Sequence, residues 1–273
     1  FWFAYIAALI ARILNVHYIP ILHGGDLPKR LTNSNRASKI LFKNSYANVA
    51  VSGYLKHEFE ERGYKVVLIP NSIDTCRYPF ILREKCRPRL LWVRSFHKQY
   101  NPIMAAEVLN DLIKIYPDAT LCMVGPDKDG TIEKFRNYVD ILGLKDHVKI
   151  TGLLKKEDWI KLSEDYDFFI NTTNIDNTPV SVIEAMALGM IVISTDAGGL
   201  KYMLSTDNDS IMVSCGDTIA MSKAISTAMN DQSLCKKISL NARFSAMNFD
   251  WSIVKNKWAD LLLADITGTK NLD

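Results

Sequence analysis

The stretch DFFINTTNIDNTPVSVIEAMALGMIVIST, residues 167–195, decides how the rest of the chain is read. FFI is a short apolar run that ends in a polar loop. Thr178 can cap the helix that follows, and Pro179 suits its first position. MIVIST then begins a second apolar run. Strand, loop, helix and strand, with both strands apolar throughout, is the pattern of a parallel sheet covered on both faces. In such sheets ligands bind beyond the carboxyl ends of the strands. The first-turn N–H groups near Val180 and Ser181 have no partner inside the helix and point toward that end, which makes an anion site without a cation. Glu184 lies one turn further on the same face, as a carboxylate suited to the vicinal hydroxyls of a ribose. Asp176, eight positions earlier, can accept from another polyol. Two readings fit these residues alone: this site, or a capped structural helix with a solvated glutamate.

The alternation continues in both directions. Strands are predicted at LLWVR (90–94), ATLCMVG (119–125) and HVKITG (147–152), with SIMV (210–213) as a short last strand. Helices fall between them, IMAAEVLNDLIKIY, TIEKFRNYVDILG and KKEDWIKLSE, and at least five strands should share one parallel sheet. The end is helical, over 218–229, 233–247 and 252–265. Asp250 is the expected N-cap of the last helix, whose Trp251, Val254, Trp258 and Leu262 form one apolar face that should dock elsewhere in the fold.

Upstream, the period is lost over residues 71–88, NSIDTCRYPFILREKCRP, which reads as an interdomain linker. Before it, VHYIPIL (16–22), ANVAVS (47–52) and KVVLIP (65–70) read as strands. HGGDLPKR (23–30) reads as a loop, and helices are expected at 36–43 and over YLKHEFEERG. The organisation is therefore α/β, with domains at 1–75 and 89–249, a linker at 76–88 and a closing helical segment at 250–273. The chain opens on Phe1 with FWFAYIAALIARIL. Its apolar run before Arg12 is shorter than the about 20 residues a membrane span needs. It also lacks the basic start and cleavage site of a signal peptide, so a helix buried inside a domain is expected.

Two further clusters sit at strand ends. In WVRSFHKQYNP, Arg94 closes a strand and Lys98 follows before a helix marked by Asn101 and Pro102. Two cations there can clamp a diphosphate and stabilise it as a leaving group, or can belong to an ordinary basic loop. In HGGDLPKR, His23 ends a strand, and Gly24 and Gly25 permit close backbone approach to a ligand. Asp127 and Asp129 form a D-x-D string, but Lys128 lies inside it and a metal role is not expected. With 33 Lys plus Arg against 30 Asp plus Glu, the net charge of +3 argues against a nucleic-acid binder. The five cysteines, Cys76, Cys86, Cys122, Cys215 and Cys235, follow no C-x-x-C spacing and read as reduced thiols, which fits a cytoplasmic setting.

Taken together, HGG (23–25), VAVSGYLKHEF (49–59), IPNSID (69–74), LLWVRSFHKQYNP (90–102), CMVGPDKDG (122–130), VKITGLL (148–154) and NIDNTPVSVIEAMALGMIVISTDAGGL (174–200) resemble the retaining GT-B glycosyltransferases of family 4, the group 1 family. The resemblance implies two Rossmann-like domains facing a cleft, and transfer of a sugar from a nucleotide-diphosphate sugar to a hydroxyl acceptor without a metal or other cofactor. It implies that Arg94 and Lys98 grip the donor diphosphate, Glu184 holds the ribose and Asp176 contacts the transferred sugar. Likewise the backbone of Thr178, Pro179, Val180 and Ser181 would meet the diphosphate or sugar, with His23 and Gly24 facing the donor and Gly152 and Leu153 bordering the base. Asp176 stands where the family's first acidic position is usually Glu, and so reaches about one methylene less.

The implied partners are a nucleotide sugar and a carbohydrate or lipid-linked glycan acceptor, with peripheral contact to the inner membrane face as a further expectation. No nucleic acid is implied. A nucleotide-sugar epimerase and a non-catalytic nucleotide-sugar-binding domain are the alternatives. The first domain is expected to be incomplete here, entering at FWFAYIAALIARIL, which should follow earlier strands.

Overall fold

The computed structural model describes residues 1–264. Its first part carries three strands, β1 (Ile21–Leu22), β2 (Asn48–Ala50) and β3 (Val66–Leu68), paired in parallel in that order. Around them lie α1 (Trp2–Ile13), α2 (Leu27–Asn33), α3 (Asn35–Lys43) and α4 (Gly53–Glu60). Leu22, Leu41, Phe42, Leu55 and Phe59 form a core here.

Three features differ from the sequence expectation. The strand expected over 16–22 shrinks to two residues, because Pro20 has no N–H for a ladder; among the described residues it pairs on one side only, with β2. The expected loop 23–30 turns helical at Leu27, with Pro28 in the first turn, where a missing N–H costs nothing. The opening helix is not buried. Ala8 is its only buried residue, Phe1 and Tyr5 pack toward Phe42, and Phe3 and Ile13 are 88% and 83% exposed. α1 rests on α3, and one supporting helix covers only one stripe of a helix that is apolar nearly all round.

The second part is a six-stranded parallel sheet: β4 (Arg89–Val93), β5 (Thr120–Val124), β6 (Val148–Gly152), β7 (Phe168–Asn171), β8 (Ile191–Thr195) and β9 (Ile211–Val213). The spatial order is β6-β5-β4-β7-β8-β9. Period-two alternation sorts the strand residues between two cores. Leu90, Trp92, Leu121, Met123, Phe168, Ile170, Ile191 and Ile193 face α5 (Pro102–Leu112), α6 (Thr131–Ile141) and α9 (Thr218–Asn230). Leu91, Cys122, Val124, Phe169 and Val192 face α7 (Lys156–Leu162), α8 (Val180–Ala187) and the end of α10 (Gln232–Met247). With both faces covered, every central strand is apolar at successive positions, which is why they were legible.

The segment between the two sheets is a strap bound to the second. Arg83 is buried, and its guanidinium donates to the carbonyls of Ile81 (2.8 Å), Ser163 (3.1 Å) and Leu188. Burial pushes its pKa down to about 10, still charged at neutral pH. The chain returns through α11 (Trp251–Leu263), capped by Asp250 through the Ser252 N–H at 2.8 Å. Val254 and Leu261 of α11 pack with Ala47, Val49 and Ile69 around the first sheet. Asp265, the expected last residue of this helix, and the rest of the closing segment lie outside the described residues. No described helix is long and apolar enough to cross a membrane.

Candidate functional site

The strand order places the chain reversal between β4 and β7: β4 connects outward through β5 and β6, whereas β7 connects the other way through β8 and β9. The loops leaving two such strands diverge and open a crevice at their carboxyl ends. Arg94 follows β4 directly, and residues 172–179 follow β7. Both meet in a cavity of about 460 Å³ whose walls include His23, Arg94, Tyr100, Leu153, Lys156 and Asp176. That volume is in the range that holds a small-molecule ligand.

Arg94 is mostly buried. Its guanidinium carbon lies 4.7 Å from the Tyr100 ring centroid, and it is ion-paired with Asp176 across the switch point. Burial pushes its pKa down to about 10, so it remains a cation at neutral pH. Gly125, at the end of β5, lets this arrangement form. The Arg94 N–H donates to the Val124 carbonyl at 2.9 Å, the Gly125 N–H donates to the Gly152 carbonyl at 2.9 Å, and the Arg94 carbonyl occupies the space that a side chain on Gly125 would need.

On the opposite wall stands the N-terminus of α8. Thr178 does not cap it; no side chain does. The Thr178 hydroxyl donates instead to the Val51 carbonyl of the first domain at 2.8 Å, and Asn71 Nδ2 donates to the Thr178 carbonyl at 2.9 Å. Asn177 reaches the same domain, donating to the His23 carbonyl at 3.3 Å and accepting from the Ser52 hydroxyl. The loop before α8 is thus spent on joining the two domains, and the first-turn N–H groups are left facing the cavity, which Val180 and Ser181 line. The Ser181 hydroxyl is buried there with no hydrogen-bond partner among the described residues. A buried hydroxyl without a partner beside an uncapped helix start is chemistry that an anionic, hydroxyl-bearing ligand would satisfy.

Of the residues singled out from sequence, His23, Arg94, Leu153, Asp176, Thr178, Pro179, Val180 and Ser181 line the cavity. Gly24, Lys98, Gly152 and Glu184 are not among its lining residues. Lys98 is exposed and begins a single 3-10 turn, with its backbone N–H donating to Asp129 Oδ2 at 3.2 Å. Glu184 is buried one turn behind Val180, where the Tyr78 hydroxyl donates to its Oε1 at 2.7 Å and Lys156 forms an ion pair with it. Burial beside that carboxylate pushes the Tyr78 hydroxyl far up, so it stays a donor. Asp127 and Asp129 accept from the N–H groups of Ile132 and Thr131 at the start of α6. Among the described residues no group of three or more His, Cys, Asp or Glu is placed to hold a metal ion.

Sequence reasoning missed Tyr78, Tyr100, Lys156 and Asn177. Tyr78 lies in a stretch without periodicity, 106 positions from Glu184, and nothing local could pair them. Lys156 was one of several lysines on an amphipathic helix. Tyr100, inside WVRSFHKQYNP, and Asn177, inside the deciding stretch, were placed where their roles could have been asked.

The family model for glycosyl transferases group 1 matches residues 79–244, more than half of the chain. Among curated proteins, the chain is 23% identical over 175 residues to the GalNAc-alpha-(1->4)-GalNAc-alpha-(1->3)-diNAcBac-PP-undecaprenol alpha-1,4-N-acetyl-D-galactosaminyltransferase of Campylobacter jejuni, covering 63% of this chain and 47% of that protein. It is 23% identical over 204 residues to the UDP-Gal:alpha-D-GlcNAc-diphosphoundecaprenol alpha-1,3-galactosyltransferase of Escherichia coli, covering 70% of this chain and 51% of that one. The chain thus spans about half the length of these curated relatives. Among solved structures, Anabaena Alr3699/HepE in complex with UDP superposes with a TM-score of 0.86 at 18% identity, over 96% of this chain and 76% of that one. Two Rossmann-like lobes meeting at a switch-point cavity, together with the family match, lead to one conclusion: the chain belongs to the glycosyl transferases group 1 family and has its GT-B architecture.

Proposed function

We propose that this protein is a retaining glycosyltransferase that moves a sugar from a nucleotide-diphosphate sugar to a hydroxyl acceptor. The observation that carries the reading is the convergence of a buried guanidinium, Arg94, and the uncapped start of α8 on one cavity at the sheet's switch point. Arg94 and the first-turn N–H groups of Val180 and Ser181 receive the diphosphate, the group whose negative charge grows as the glycosidic bond breaks. Arg94 is paired with Asp176 until the donor arrives. Asp176 therefore stands beside the phosphates, where the transferred sugar begins, and accepts from its hydroxyls. His23, on the wall contributed by the first domain, faces the sugar from the other side. Glu184, buried one turn behind Val180 and outside the cavity's lining, accepts from the ribose through its carboxylate, and Leu153, 74% exposed at the cavity edge, borders the base, with Gly152 next to it in the chain. Lys98 assists the diphosphate through a movement of its exposed side chain.

In the reaction the bond from the anomeric carbon to the phosphate oxygen breaks, and the acceptor oxygen bonds to the same face of that carbon. The acceptor proton passes to the departing phosphate oxygen. Orientation of the donor and stabilisation of the leaving group are then the protein's main contributions. The acceptor is a carbohydrate or lipid-linked glycan at the cytoplasmic face of a membrane. Relatives named for undecaprenol-linked substrates support a lipid-linked acceptor.

A panel of UDP-, GDP- and ADP-sugars, scored by thermal stabilisation and by nucleotide release, tests the reading. One class should bind and release its nucleotide. Arg94→Ala should lower turnover by about 100-fold or more with donor saturating. Near-normal kcat in that variant would remove Arg94 from its role, and no binding across the panel would refute the function.

A further inference from the structure

Lys156 occupies a position that helix physics disfavours. It is the first residue of α7, at the positive end of the helix dipole, where acids are stabilised and cations are not. Glu157 and Asp158, next in the same turn, follow the rule. Lys156 is compensated by a buried carboxylate on the neighbouring helix: its Nζ is bonded to Glu184 Oε1. The Tyr78 hydroxyl donates to the same oxygen at 2.7 Å, and Nζ lies 6.0 Å from the Tyr78 ring centroid. Oε2 of Glu184 receives no hydrogen bond from any described residue. The three side chains come from the interdomain strap, α7 and α8. The Lys156 side chain is 41% exposed on the cavity wall, whereas that of Glu184 is 5% exposed.

We infer that Lys156, together with Tyr78, is a positioning residue for nucleotide recognition. The two hold Oε1 so that Oε2 is presented to the ribose hydroxyls. This rests on the donor-site reading above. A carboxylate taken out of water is kept only where donors satisfy it. Here both donors converge on one oxygen, which fixes the plane of the group as well as its charge. The free oxygen then faces an incoming hydroxyl without having to be ordered at the moment of binding. With the cation removed, Tyr78 alone holds the group through a single bond, and the carboxylate can turn toward water. The expected loss is selectivity for a ribose over a sugar lacking the 2′-hydroxyl.

Calorimetry with UDP, GDP and ADP identifies the nucleoside diphosphate that binds the wild-type chain best, and its 2′-deoxy form supplies the comparison. The wild type should prefer the ribonucleotide by about tenfold or more, the yield of one hydrogen bond to a charged acceptor. Lys156→Met should bring the ratio to within about twofold, Lys156→Arg should keep most of it, and Tyr78→Phe should fall between. Thermal melts check that each variant is folded. A Lys156→Met variant that keeps the wild-type ratio overturns the inference, even if both nucleotides bind more weakly, since that pattern marks a simple charge contribution. Failure of all three diphosphates to bind the wild type is a different outcome: it refutes the donor site itself and this inference with it.

Discussion

Replacing Gly125 with alanine tests whether the site depends on a close approach of two strand ends. Gly125 has φ +148°, and an added Cβ would lie 1.7 Å from the Arg94 carbonyl oxygen and 2.5 Å from its carbonyl carbon. Restoring ordinary contact means parting the ends of β4 and β5 by about 1.5 Å. That movement strains the Arg94-to-Val124 and Gly125-to-Gly152 hydrogen bonds, both 2.9 Å. Forced positive φ costs about 1–3 kcal/mol and overpacking a further 1–3, so the loss should total about 2–6 kcal/mol. Gly63 is the internal control. It too has positive φ, +76°, but nothing lies within 4 Å of an added Cβ. Gly63→Ala should therefore cost only the backbone penalty, about 1–2 kcal/mol. Urea unfolding followed by circular dichroism compares the two, and calorimetry follows nucleotide binding. Gly125→Ala should also lose at least about tenfold in affinity, because Arg94 moves with its carbonyl. Equal destabilisation by the two substitutions, or unchanged nucleotide affinity in Gly125→Ala, would refute the close-approach argument.

Thr172 ties the β7 loop to the β4 side of the site: it accepts from the buried Trp92 Nε1 at 3.1 Å and donates to the Tyr100 carbonyl at 2.8 Å. Thr172→Val strands a buried indole N–H and should cost about 1–3 kcal/mol in thermal denaturation, whereas Thr172→Ser should cost much less. Asp250 is held well below the usual carboxylate range by hydrogen bonds from Ser252 and Thr75. A depressed native pKa adds stability above the unfolded-chain value of about 4, and that stability is lost as pH falls from there through the native value. Asp250→Ala should accordingly be about 1 kcal/mol less stable than wild type at neutral pH, and the gap should close in acid melts. A gap that persists in strong acid would show that the ionised carboxylate is not its source.

The second sheet was legible because each of its central strands is covered on both faces, so runs such as LLWV and MIVI could hardly be anything but buried parallel strands. The first sheet was harder. Its strands are two or three residues long, and the first of them begins only after Pro20. Arg94 and Asp176 could be singled out because each follows such a strand, in a position where parallel sheets bind ligands. The roles of neighbouring polar residues were not readable in the same way. Thr178 has the chemistry of a cap and the spacing of one, yet its hydroxyl goes to Val51, because joining the two domains satisfies a buried carbonyl that the helix start does not offer.

What the sequence alone determined is the alternation of strands and helices and the strand ends, after β4 and β7, that come to border the cavity. These follow from local periodicity and turn chemistry, which neighbouring residues carry without help from distant ones. What only the tertiary structure decided is which side chains share a site. Asp176 pairs with Arg94 across the switch point, and Tyr78 and Lys156 converge on Glu184 from elements far apart in the chain. Such pairings are set by strand order and by the packing of buried charge, and neither leaves a spacing in the sequence from which to read it.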